Sequence, residues 1–257
     1  MRLSRLLDPR LLVMAALAVG LSACATRPPA NEPEAVAEFQ AANDPLEPLN
    51  RTMYQVNEGL DTLVLRPAAE IYRFFLPYEV RLGVRNVLTN LRAPTVLAND
   101  LLQGQTQRAG RTASRFVINS TLGLGGIIDV ADRGFGIRGH NEDFGQTLAA
   151  WGVQGGPYLF VPGLGPSNPR DLFGFGVDAV ASPWFWVGQG AAVEALRYSR
   201  TGATIVDTRE GVIDTLDDIN RTSLDPYTTI RSGYRQRREA EIRNELVPAG
   251  RRTGLTP

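Results

Sequence analysis

Apolar residues recur in this chain at steps of three and four, and that period constrains the fold more than any motif does. Val80, Val84, Val87, Leu88 and Leu91 keep it, as do Leu60, Leu63, Val64, Ala68, Ile71 and Phe75 around Pro67. A later segment puts Leu196, Ala203, Val206, Ile213, Leu216 and Ile219 on one helical face, with Arg197, Arg200, Arg209, Asp214, Asp217 and Asp218 mainly off it. The segment reads as one long amphipathic helix, with Gly202 and Gly211 the two places where a break is open. Asp44-Pro45 and Asp225-Pro226 each place an N-cap residue before a first-turn proline, which marks two helix starts. Strand signals are weak and no repeat period is visible, so the body is predicted to be mainly α. After the N-terminus no run reaches the ~18 apolar residues of a membrane-spanning helix. The body can touch a bilayer without threading it.

The N-terminus sets the compartment. Arg2, Arg5 and Arg10 precede an apolar run from Leu11 to Leu21, too short for a stop-transfer helix across ~30 Å of hydrocarbon, and the run ends in Leu21-Ser22-Ala23-Cys24. This pattern matches a lipoprotein signal cleaved before Cys24, whose thiol takes the lipid. Cys24 is the one cysteine, so no disulfide forms within the chain. Several acyl chains at about 0.8 kcal/mol per buried methylene make a lasting anchor. Ala25 stands where an Asp would signal retention at the inner membrane, so the outer membrane is the expected address.

The Pro-, Ala- and Glu-rich stretch that follows reads as a tether of about 60 Å when extended. The expected organisation is a signal peptide at 1–23, a tether at 24–42, a helical domain at 43–246 and a disordered tail at 247–257.

Charge narrows the partners. All 27 basic residues are arginine and they balance 27 acidic ones, so no basic excess favours nucleic acid. The absence of lysine fits either an Arg-biased genome or selection for phosphate-binding guanidinium groups.

Motifs for catalysis are weak. Gly134, Gly136 and Gly139 match GxGxxG, but the long helix, the distant acid and the alternating βαβ units of a dinucleotide site are missing. There is no GxSxG, and His140 is the one histidine, read as a surface polar cluster with Glu142 and Asp143. One His with the cysteine committed to the anchor disfavours a transition metal. Asp214, Asp217 and Asp218 read as a solvated face. No catalytic residue, metal site or cofactor is predicted.

Two apolar stretches stand out. GVQGGPYLFVPGLG, running from Gly152 to Gly165, surrounds Tyr158, Leu159, Phe160 and Val161 with Gly155, Gly156, Pro157, Pro162 and Gly163, and carries no charge. A solvated loop should be polar and a core strand should carry few glycines, so lipid or a channel wall is expected to face it. Trp184, Phe185 and Trp186 after Pro183 fit either membrane-interface anchoring or core packing.

The pieces NDPLEPLNRTMYQVNEGLD, LRPAAEIY, VRNVLTNLRAP, NDLLQG, RFVINSTLGLGGIIDVAD, DFGQTLAAWGVQGGPYLFVPGLGPSNPRD and SLDPY run in order from Asn43 to Tyr227. Together they resemble the VacJ/MlaA outer-membrane lipoproteins. The resemblance implies a single ring-like, mainly helical domain in the inner leaflet of the outer membrane, with a Gly/Pro-rich hairpin and an amphipathic channel. It implies non-enzymatic removal of mislocalised phospholipids from the outer leaflet, beside a trimeric porin, with hand-over to a soluble periplasmic carrier of the Mla pathway. The hairpin departs from the family's GVGxGPY at Gln154, with Gly155 and Gly156 placed to compensate. Arg66, Arg81, Arg85 and Arg115 are candidates to meet headgroup phosphate, against a role in structural ion pairs. The rival functions are a lipoprotein that scaffolds porins or surface assembly, and a lipid hydrolase.

Overall fold

The structure is a computed structural model that describes residues 28–29, 31–186, 188 and 190–245. Cys24, the signal peptide at 1–23 and the tail at 247–257 lie outside the described residues. The described chain is mainly α, with two three-residue strands. It forms two compact units: one comprises the chain up to Leu60 together with Gly156–Pro169, the other Asp61–Gly155 together with the residues from Arg170 on.

The first unit holds helices α1 (Pro33–Ala42) and α2 (Glu47–Leu60) and the strands β1 (Leu159–Val161) and β2 (Gly165–Ser167). Much of the sequence expected to be an extended tether is thus the helix α1, closed by Asn43 in the left-handed region at φ 45°. The helix start predicted at Pro45 falls two residues later, at Glu47. Asp44 is buried, and its carboxylate accepts from the Asn50 amide at 2.7 Å. The strands pair antiparallel with Phe160 opposite Pro166, and β1 lies against α2.

The second unit opens with a π-helical turn, Asp61–Leu65, leading into α3 (Arg66–Phe75). Pro67 explains the wide turn, because a proline ring in a regular α-helix clashes with the carbonyl four residues back. Helices α4 (Tyr78–Leu102) and α5 (Thr106–Thr121) form the unit's largest helical pair, joined by a short connection that turns at Gly104, φ 72°. A glycine-rich turn follows. At Gly126, φ is +99° and an added Cβ would sit 2.6 Å from the Asn90 Cβ, so a side chain is excluded twice over. Short helices α6 (Val130–Phe135) and α7 (Phe144–Ala150) are capped by the Asp129 and Asp143 carboxylates.

Helix α8 (Pro169–Ala181), the single turn α9 (Pro183–Trp186), α10 (Ala191–Thr222) and α11 (Pro226–Ile242) complete the chain. Helix α10 is the long helix that the sequence predicts, and it runs unbroken through Gly202 and Gly211 for 32 residues. Packing of its middle against α3 and α4 outweighs the roughly 1 kcal/mol that a glycine costs a helix. Asp225 caps α11 as the sequence predicts, accepting from the Tyr227 and Thr228 amides.

Candidate functional site

The hairpin is held by one helix face. Asn50 of α2, itself buried, donates to the Tyr158 carbonyl at 3.0 Å and accepts from the Phe160 amide at 3.0 Å. Asn57, two turns on, accepts from Gly163 at 2.9 Å, and Tyr54 meets Phe160 edge-on with ring centroids 5.4 Å apart. Tyr158 and Phe160 are therefore buried against protein, so these two rings of the apolar run do not face lipid or a channel as expected. Strand alternation leaves Leu159 and Val161 half-buried on the other side. The glycines divide in role. Gly163 and Gly165 shape the turn at φ +81° and +86°, with Pro162 and the exposed Leu164 beside them. Gly152 closes α7 at φ +89°, its amide bonded to the Ala149 carbonyl and open space where a Cβ would lie. Gly156, φ +78°, approaches Pro169, and Pro157 follows it. The chain passes between the two units at Gly155–Gly156, just after the exposed Gln154.

Helix α3 is amphipathic with its faces reversed from the globular norm. Leu63 (79%), Phe74 (83%) and Phe75 (71%) are exposed, with Val64, Ile71, Tyr78 and Val80 beside them in sequence and also exposed. Its polar face turns inward to α10. Arg66 makes a two-pronged bond to Asp217 at 2.9 and 3.1 Å, and Arg73 does the same to Asp214 at 2.8 and 3.2 Å. Glu210, 1% exposed, takes Arg73, Arg81 and Arg85, while Arg85 also forks onto Asp207 at 2.9 Å. Arg209 closes the ladder on Asp61. Burial, and then Asp207, push the Tyr72 hydroxyl up to about 12, so it stays a proton donor. Asp214 and Asp217 are ion-pair partners of α3 while 81% and 41% exposed, and Asp218 is 65% exposed, in keeping with the solvated face expected of the three. The buried part of this network is Glu210 and Asp207, where leaving a charge unpaired costs about 3–5 kcal/mol, whereas pairs as exposed as Arg66–Asp217 contribute about 0–1 kcal/mol.

His140 is buried with Asp100, not clustered at the surface as its neighbours in sequence suggested. Its Nε2 lies 2.8 and 3.0 Å from the two Asp100 oxygens, and the Thr112 hydroxyl donates to Asp100 at 2.7 Å. A catalytic triad puts acid and hydroxyl on opposite ring nitrogens. Here the same nitrogen faces both, at 3.4 Å from the Thr112 hydroxyl. Asp100, His140 and Glu142 also offer ligand atoms within 4.8 Å of one another. The Arg108 guanidinium, 2.5 Å from Glu142 and 3.7 Å from Asp100, already supplies the cation there. Burial pushes the Glu142 carboxyl up, against the bonds from Gln103 and Arg108. This cluster borders a cavity of about 630 Å³ lined mainly by polar side chains, among them Asn86, Arg92, Arg108, Arg115, His140 and Glu241. That volume is in the range of small-ligand sites, roughly 300–1,000 Å³.

The other predicted site residues separate clearly. Arg66, Arg81 and Arg85 are engaged by the α10 carboxylates, and Arg115 by Asp129 and the Ile137 carbonyl. Arg115 alone of the four lines the cavity. The glycines of the GxGxxG match end α6 and pack Gly139 against the Arg115 guanidinium. Trp184 is half-buried, its indole donating to the Leu91 carbonyl at 2.6 Å, whereas Phe185 and Trp186 are exposed. One aromatic of the three packs and two face outward. Among the described residues no helix is long and apolar enough to cross a membrane.

The profile of the MlaA lipoprotein family matches residues 42–241. A Haemophilus influenzae protein named intermembrane phospholipid transport system lipoprotein MlaA is 34% identical over 227 residues, covering 88% of this chain and 87% of that protein. The Escherichia coli K12 protein of the same name is 36% identical over 203 residues, 78% of each chain. A chain solved in a study of the structural basis for maintenance of bacterial outer membrane lipid asymmetry superposes with a TM-score of 0.67 at 33% identity, covering 77% of this chain and 98% of that one. Profile, relatives and solved fold agree over the whole helical body, and the chain belongs to the MlaA lipoprotein family.

Proposed function

We propose that this protein removes phospholipid from the outer leaflet of the outer membrane and passes it inward without chemical change, maintaining lipid asymmetry. The observation that carries the reading is the reversal of α3, whose apolar side faces outward while Arg73, on its other side, bonds to the buried Glu210. Four fully buried side chains of the size of Phe74, Phe75, Ile71 and Leu63 would each contribute roughly 1.5–3 kcal/mol. In water that contribution is forgone. Against acyl chains it is recovered, so this face suits a body lying in a leaflet and held there through Cys24. Dragging a charged headgroup through hydrocarbon is costly, whereas a polar interior leaves it solvated. The relatives' names point the same way.

Within this reading the partners are phospholipid, a trimeric porin that supports the body in the membrane, and a soluble periplasmic carrier that receives the lipid. The glycines from Gly152 to Gly156 form the hinge of the hairpin, and Phe185 and Trp186 sit at the interface between headgroups and tails. Transport is non-enzymatic, because the one histidine is locked to Asp100 in the wrong order for a triad.

The test is product analysis. Purified acylated protein is incubated with labelled phospholipid, with and without divalent metal, and the lipid is recovered intact. Release of fatty acid or lysophospholipid that His140→Ala abolishes would replace this reading with a hydrolase.

A further inference from the structure

Three helices of the second unit meet at Arg238. From α11 it puts both terminal nitrogens on the Asp143 carboxylate at 2.7 Å, where α7 begins, and its Nε lies 2.8 Å from Asp171 in the first turn of α8. The Tyr234 hydroxyl, one turn earlier on α11, donates to the same Asp171 oxygen at 2.6 Å. A Cβ added at Gly145 would lie 2.6 Å from the Arg238 guanidinium and 2.7 Å from Asp171, and one added at Gly174 would lie 2.3 Å from the Gly145 nitrogen. Helices α7 and α8 therefore touch through two glycines, with no room for a side chain. Burial alone would raise the Asp171 carboxyl, but Arg238, then Tyr234 and Arg170, hold it below the usual carboxylate range, so it stays charged.

Asp171 carries this arrangement to its neighbour in sequence. Adjacent residues on a helix point to different sides, so Arg170 folds back across the start of α8 to reach the other Asp171 oxygen, at 3.0 Å from Nε and 2.9 Å from Nη2. Its third nitrogen donates to the Val153 carbonyl at 3.3 Å, and its main-chain amide donates to the Gly155 carbonyl at 3.4 Å. Gly155 is where the chain leaves the second unit for the hairpin, and Arg170 is where it returns. One residue, its side chain 7% exposed, thus ties the outgoing segment to the returning one. We propose that Arg170 is a positioning residue for lipid removal: it closes the root of the hairpin, and Asp171, held by Tyr234 and Arg238 of α11, fixes Arg170 in the pose that does so. The two segments then move as one piece about Gly152, and their setting answers to α11. That this motion serves lipid removal rests on the transport reading. The tie itself rests on the bonds around Arg170 and Asp171. It needs the forked guanidinium, which serves a carboxylate and a carbonyl at once and which lysine, a single point charge, does not reproduce.

The experiment measures amide hydrogen exchange in the full-length acylated protein in detergent micelles, for wild type, Arg170→Lys and Tyr234→Phe, with melting temperature and cell-surface phospholipid followed for the same variants. Arg170→Lys keeps a charge beside Asp171, so its melting temperature should stay close to that of wild type. Exchange in peptides covering 153–155 and 170–171 should speed up about ten-fold, while α10 exchanges as before. Tyr234→Phe should quicken the same peptides about three-fold, acting from the far end of the tie. Both variants should leave more phospholipid on the cell surface at equal protein abundance, Arg170→Lys the more. Root exchange equal to wild type in either variant overturns the proposal, as does faster exchange spread evenly over the chain with a matching fall in melting temperature. A loosened root with surface phospholipid at the wild-type level, in cells where the wild type lowers it, overturns the positioning role. A wild type that fails to lower surface phospholipid refutes the transport reading, while the exchange rates still decide the tie.

Discussion

The Asn50 side-chain carbonyl accepts the Phe160 amide at 3.0 Å across 110 residues of sequence, and its amide reaches the Tyr158 carbonyl. One buried amide therefore supplies both the donor and the acceptor that the first strand of the hairpin lacks. Replacing it strands those backbone groups without water. Asn50→Ala should destabilise the protein by about 3 kcal/mol, from unsatisfied buried groups at roughly 1–3 kcal/mol each. Urea denaturation checks the size of the loss. Proteolysis confined to 156–169 would show that the hairpin is what comes loose.

The reversed face of α3 makes a prediction of opposite character. Phe74→Asp and Phe75→Asp remove exposed apolar surface, so each should alter stability in solution by no more than about 0.5 kcal/mol. Binding of the unacylated Cys24→Ser protein to phospholipid vesicles should fall at least ten-fold per substitution, from roughly 1.5–3 kcal/mol of lost burial. Vesicle flotation measures it. A large drop in melting temperature with unchanged flotation would mean that the two rings pack against protein.

A pH dependence follows from Arg238. Burial by itself would raise the Asp143 carboxyl, but the Arg238 guanidinium at 2.7 Å on both oxygens prevails and holds it at about 2. A carboxylate whose pKa is lowered by folding stabilises the folded state fully above its unfolded value near 3.8, and that stability drains away as pH falls toward 2. The contribution is about 2 kcal/mol. Arg238→Gln should reduce stability at neutral pH and flatten its decline between about pH 4 and 2. Chemical denaturation across that range reads both effects, and an unchanged slope would contradict the assignment.

How much of this could be read in the sequence depended on the kind of interaction. Asp225 caps its helix through neighbouring amides, so the residues alone sufficed; at Asp44, which bonds to the buried Asn50, the same Asp-Pro signal misplaced a helix start by two residues. The apolar period of Leu63, Ile71 and Phe75 announced a helix but could not say which face was inside, because the period is the same either way. That sign is marked by Arg73 meeting the buried Glu210, 137 residues away. His140 was read with Glu142 and Asp143, while its bonded acid, Asp100, is 40 residues back. Local chemistry was legible, and long-range pairing was not.

Gly152 separates motion from mere turn geometry. At φ +89° with open space around its missing Cβ, it tolerates alanine at a strain of about 1–2 kcal/mol, whereas proline, fixed near −65°, cannot adopt the conformation at all. Gly152→Ala should change phospholipid removal by more than its loss of folded protein explains. Parallel measurements of melting temperature and surface phospholipid decide the matter. Proportional losses would leave Gly152 as a helix cap only.

The central claim is tested most directly by the phospholipid on the cell surface, labelled with a membrane-impermeant amine reagent in cells that lack this protein and in the same cells supplied with it. The account predicts that surface aminophospholipid rises several-fold in its absence, returns to the starting level with the wild-type chain, and stays high with Cys24→Ser. Equal labelling with and without the protein would contradict a role in clearing the outer leaflet.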